Sequence, residues 1–160
     1  MQSFLDQPEA TFYHMTTIEK WLTIRQDGFN PKSGRVFVSR VGELPVLLSI
    51  ALEQLPEIYE TEEVVFLKFP QKKNGFEPKE IIPDNQAAVE WTQPFQNIIL
   101  RKHIPPSGIE LMMTIKLGQE PNRTFRLDLL RQIASSGYHC YKDHYITQRA
   151  SELTYSSSNP

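Results

Sequence analysis

The segment Thr11-Phe12-Tyr13-His14-Met15-Thr16-Thr17 carries the residue types best suited to gripping a polar ligand. An imidazole two residues before a hydroxyl, at the end of a β-prone run, can hold a ribose diol or an amide. The same pair also reads as a half-buried histidine beside a helix-capping threonine, and residue types alone favour that plainer reading. A second set is His139, Cys140, Asp143 and His144. Thiolate, imidazole and carboxylate all ligate zinc, but a structural zinc site uses paired elements and this chain has 1 cysteine, so no metal is expected. A Cys-His nucleophile there lacks an identifiable orienting group. The third set is Glu90, Gln93, Gln96 and Asn97. A carboxylate at a strand edge can stabilise a developing positive charge, as sugar-transfer chemistry requires. Periodicity does not separate that role from a solvent-facing strand residue.

Several elements must position these groups. Ala10 to Met15 reads as a strand of aromatic and β-branched residues. Thr16 or Thr17 can cap the helix that follows, Glu19 suits its first turn, and Gly28 ends it. Asn30 to Gly34 is a turn, and Arg35 to Arg40 alternates as a strand. Pro45 opens a second helix with the wide apolar face Val46, Leu47, Ile50, Ala51 and Leu55, and Pro56 stops it. Glu63 to Phe69 is a third strand. Pro70 to Pro83 reads as an exposed, mobile loop with a tight turn at Asn74-Gly75. Further strands are expected at Ala87 to Thr92, Phe95 to Arg101 and Ile109 to Leu117, with a rigid turn at Ile104 to Gly108. Thr124 caps a last helix, Phe125 to Ser135, closed by Gly137. The order β-α-β-α, then mostly β, then α, indicates an α+β domain. One domain is expected over 1–155, with a disordered tail at 156–160.

Composition narrows the function classes. The chain has 160 residues, 39% hydrophobic and 22% charged, which fits one core. A net charge of -2 supplies no global positive field for nucleic acid or membrane. Lys72-Lys73 and Arg101-Lys102-His103 read as solvated surface. No apolar run approaches a membrane span, and Met1 to Asp6 lacks the features of a secretory leader. A cytoplasmic protein is expected, or an effector exported without a cleaved signal. There is no phosphate loop, Rossmann fingerprint, His-Glu-x-x-His or Gly-x-Ser-x-Gly.

The succession Tyr13-His14-Met15-Thr16, Ile18 to Gly28-Phe29, Val36-Phe37-Val38-Ser39, the helix around Leu48 to Ala51, and Phe95 to Leu100 followed by Ile104-Pro105-Pro106 resembles the ADP-ribosyltransferase-like superfamily. The resemblance covers roughly residues 10 to 117. It implies a split β-sheet domain with two early helices and a C-terminal helix, NAD as substrate, and transfer of ADP-ribose to a protein or nucleic-acid acceptor, as in toxins and other glycosyltransferases of this class. It makes His14 and Thr16 contacts to an NAD ribose. Met15, Ser39 and Gln96 become pocket residues. The catalytic-glutamate slot on the late strand holds Gln96 or Asn97, with Glu90 able to fill it if that strand begins earlier. An amide in that slot brings no charge, and loss of one charge-stabilising contact costs on the order of 10²–10³ in rate. Two other readings remain: a weak or inactive module of the same fold that binds a nucleotide or a protein partner, and an unrelated α+β interaction domain.

Overall fold

The computed structural model describes residues 4–86 and 90–138, with the backbone alone at Glu90. After a turn at Phe4–Asp6, the chain forms β1 (Thr11–Thr17), α1 (Ile18–Asp27), β2 (Arg35–Ser39) and α2 (Leu44–Gln54). Then come β3 (Glu63–Pro70), a single helical turn α3 (Gln71–Asn74), β4 (Ile81–Pro83), β5 (Gln96–Leu100), β6 (Glu110–Lys116) and a helix α4 over 122–138. The protein is therefore α+β. Among the described residues six strands form one antiparallel sheet in the order β4-β5-β2-β1-β3-β6.

Strand alternation splits the core into two layers. On one face Phe12, Val36, Val38, Leu67, Phe69 and Ile99 pack with Trp21 and Ile24 of α1. On the other, Val64 and Phe66 pack with Leu47, Leu48 and Ala51 of α2 and with Leu127, Leu130 and Ala134 of α4. The sheet is thus sandwiched between α1 and the pair α2, α4.

Local chemistry sets the boundaries. The Thr17 hydroxyl accepts the Lys20 N–H at 3.3 Å and caps α1. Gly28 ends α1 at φ 84°, ψ -178°, where its N–H donates to Ile24 O at 2.7 Å. A Cβ there would lie 2.4 Å from Ile104 O, so only glycine fits. Phe29 then exchanges backbone hydrogen bonds with Ile104 at 2.8 and 2.9 Å, which ties the end of α1 to the Ile-Pro-Pro turn.

Four expectations are corrected. Glu90–Phe95 is a 3-10 turn with Pro94 inside it, not the end of a strand. Residues 87–89 of that expected strand lie outside the described residues. The 70–83 stretch is not a loose loop: Phe76 is buried, Asn74 donates to Pro70 O and Gly108 O, and β4 pairs with β5. Asn74-Gly75 ends α3, with Gly75 left-handed, instead of turning a hairpin. The last helix begins at 122, where the Thr124 hydroxyl donates to the Glu120 carboxylate at 2.7 Å. It runs through Gly137, which lies against Pro45: a Cβ would sit 2.5 Å from the proline ring. That glycine lets α4 approach α2 closely.

Candidate functional site

The sheet is not continuous in its middle. β1 pairs with β2 only at Tyr13↔Ser39. Continuing that antiparallel register would oppose Met15 to Phe37 and Thr17 to Arg35, and neither pair forms. The two strands part, and His14 reaches across the start of the gap. Its Nδ1 lies 2.7 Å from Phe37 O. A carbonyl only accepts, so Nδ1 carries the proton. Burial holds the ring neutral: its pKa falls from 6.5 to about 4, aided by the positive charge of Lys20 and opposed by the Phe37 carbonyl. The neutral ring leaves Nε2 as an acceptor. Phe29 stands edge-on to this ring at 4.9 Å and Phe69 stacks at 6.0 Å, fixing its plane.

The parting opens a cleft of about 1080 Å³. One wall is the end of β1 (His14, Met15, Thr16) with α1 and the turn Gly28 to Pro31. The other comprises Arg35 and Phe37 of β2, Ile98 of β5, and Ile82 to Gln86 in and after β4. Ile50, Ala51, Gln54 and Leu55 at the end of α2 close it. Phe37, 50% exposed, presents an aromatic face. Two of the lining charges are already engaged: Lys20 with Glu57 at 3.1 Å, and the Glu19 carboxylate with the Thr61 hydroxyl at 2.9 Å. The hydrogen bond from its own backbone N–H, then that from Thr61, hold the Glu19 carboxyl below its usual range. Arg35 makes no ion pair among the described residues.

The residues picked out from the sequence fall into two groups. His14, Met15 and Thr16 line the cleft together. Ser39 does not: its hydroxyl donates to Val41 O at 2.8 Å and accepts from Val41 N–H at 3.1 Å. Gln96 is buried behind the wall, where it donates to Gln54 Oε1 and accepts from the Thr92 hydroxyl, both at 3.0 Å. Asn97 shares the opposite sheet face with Val38 and Ile99, and donates to Ile82 O at 3.2 Å. The Glu90 backbone opens the turn that leads into β5. Its side chain, and the set His139, Cys140, Asp143 and His144, lie outside the described residues. Among the described residues no three metal-ligating side chains cluster.

The basic clusters have structural partners. The Arg101 guanidinium pairs with Glu80 at 2.9 Å and covers the Phe76 ring at 4.6 Å. His103 Nε2 meets Asp27 O at 3.0 Å, and Lys73 pairs with Glu110 at 2.9 Å. Among the described residues no helix is long and apolar enough to cross a membrane.

Sequence reasoning missed Phe29, Arg35, Phe37, Gln54 and Asp84 as cleft residues. For Arg35 and Phe37 a signal existed: they alternate with the buried Val36 and Val38. Asp84 drew no reading at all, lying between the expected loop and the expected strand. No protein-family model matches the chain, and no curated protein sequence matches it.

Proposed function

We propose that the cleft binds NAD and that the chain is an ADP-ribosyltransferase-like domain. The observation that carries this reading is His14. It is a neutral imidazole whose donor nitrogen is committed to Phe37 O and whose other nitrogen is an acceptor, set where β1 and β2 part. A ribose hydroxyl is a natural donor to such a group. The aromatic Phe37 and Arg35, which has no ion-pair partner among the described residues, stand two residues apart on one strand face and suit a base or nicotinamide ring and a phosphate.

The corresponding reaction breaks the bond between nicotinamide and its ribose. Nicotinamide leaves with the bonding electrons, and a nucleophile on a protein or nucleic acid attacks the ribose carbon and loses a proton. A carboxylate is needed to support the positive charge on the sugar ring. Gln96 and Asn97 bring no charge, and both amides are engaged elsewhere. Glu90, at the head of the turn into β5, is the residue that favours active transfer over binding alone.

Calorimetric titration with NAD tests the binding. His14→Ala is expected to weaken it at least tenfold, the scale of one lost hydrogen bond with its contacts. Unchanged affinity removes His14 from the pocket. Nicotinamide release separates a transferase from a binding module: release by the wild type that Glu90→Gln lowers by about 10²–10³ assigns Glu90 as catalyst. Equal release by both excludes it.

A further inference from the structure

Just after β4 stands a group that the sequence left unremarked. Ile82 of β4 stands opposite Ile98 of β5, and both line the cleft. Two residues on, Asp84 returns to the same face and continues the ladder, its N–H donating to Gln96 O at 3.2 Å. Asp84 is therefore the cross-strand neighbour of Gln96, the position where the resemblance to ADP-ribosyltransferases looks for a carboxylate. Gln96 is turned into the Gln54–Thr92 network, whereas Asp84 forms part of the cleft wall.

Asp84 is 5% exposed. Its Oδ1 accepts the Gln86 N–H at 3.3 Å, and among the described residues no cation pairs with it. A buried carboxylate with one long hydrogen bond is costly to hold in a folded chain unless something else bonds it. Because Asp84 lines the cleft, a ligand there can do so.

We infer that Asp84 is a ligand-binding residue, accepting a hydrogen bond from a hydroxyl of the second ribose of a dinucleotide whose first ribose meets His14. This rests on the NAD reading of the cleft. β4 and β1 are three strand spacings apart in the sheet order, roughly 14 Å or more. A single sugar does not bridge that distance, and two riboses joined by a pyrophosphate do.

The test is calorimetric titration of ADP-ribose, which has both riboses, and ADP, which has one. The wild type is expected to bind ADP-ribose at least tenfold more tightly than ADP. Asp84→Asn, which keeps the shape and an acceptor for Gln86 N–H, is expected to weaken ADP-ribose roughly 10- to 100-fold and leave ADP unchanged, the range for a hydrogen bond to a charged group. Asp84→Glu should recover part of the loss, and Asp128→Asn on α4 should bind like the wild type. If ADP-ribose binding survives Asp84→Asn but is lost in His14→Ala, Asp84 is overturned and the NAD reading stands. Equal wild-type affinity for ADP and ADP-ribose overturns Asp84 without requiring any variant to fold. Equal weakening of both ligands in Asp84→Asn overturns the second-ribose assignment. A wild type that binds neither ligand overturns the inference and the NAD reading together.

Discussion

β1 has two unlike flanks. Toward β3 it is paired at every position from Thr11↔Pro70 to Thr17↔Val64. Toward β2 it is paired at Tyr13↔Ser39 alone. The closed flank is backed by Phe12, Leu67 and Phe69, all fully buried. At the open flank Phe37 is half exposed, and a side chain, His14, makes the cross-strand hydrogen bond in place of the ladder. One strand thus divides two tasks. Its continuous edge holds the fold, and its interrupted edge leaves room for a ligand.

Substitutions can break or sharpen that division. On the closed flank, Phe12→Ala should cost about 3–5 kcal/mol in urea unfolding, because it empties a fully buried ring site. A loss under about 1 kcal/mol would mean that the closed flank is not the anchor.

At the open flank, acid should act through His14. Its folded pKa of about 4 lies below the 6.5 of an unfolded histidine, so the unfolded chain binds the extra proton between those values. The stability due to the neutral ring is complete above pH 6.5 and is lost as pH falls toward 4. Between pH 7 and pH 5 the wild type should lose about 2 kcal/mol more than His14→Gln. Parallel pH profiles for the two would show that the ring is not held neutral. Ligand affinity, by the same logic, should be flat from pH 5.5 to 8, as followed by titration in that range, roughly one unit and more above the folded pKa.

Gly28→Ala should cost about 1–3 kcal/mol, since it forces φ 84° on a residue with a Cβ and drives that Cβ into Ile104 O. Thermal unfolding reads the loss. Because Phe29 follows directly and packs on His14, ligand affinity should fall with it. Thr17→Ala, which removes the α1 cap, should cost about 1 kcal/mol. The smallest effect is the sharpest contrast with Phe12: Phe37→Ala should change stability by no more than about 0.5 kcal/mol and still weaken the proposed binding of NAD. Intact binding would remove Phe37 from the site.

Much of this architecture was written in local patterns. The Thr-capped α1, its glycine stop, the Pro-opened α2 and the alternating β2 all rest on interactions between near neighbours, which the sequence displays directly. His14 was legible by residue type alone, as an imidazole in a β-prone run, although β1 continues to Thr17 and its partner Phe37 lies far off in sequence. The other wall was not. Whether Gln96 or Asp84 faces the cleft depends on how β4 and β5 align, and that register joins segments separated by the turn at Glu90–Phe95. Gly137 misled because a glycine that ends a helix and one that lets two helices touch look alike in one dimension.

The two outer strands have a consequence for how copies of this chain behave together. β4 is three residues long and ends in Pro83, which offers no N–H to a newcomer. β6 is seven residues long, but its register with β3 slips between Phe66 and Leu67, and Arg126 donates to its last carbonyl, Lys116 O, at 3.0 Å. A short proline-ended border and a kinked one are poor templates for edge-to-edge stacking. At high concentration these borders disfavour the growth of fibres by strand addition, even though the sheet interior is rich in valine, isoleucine and phenylalanine.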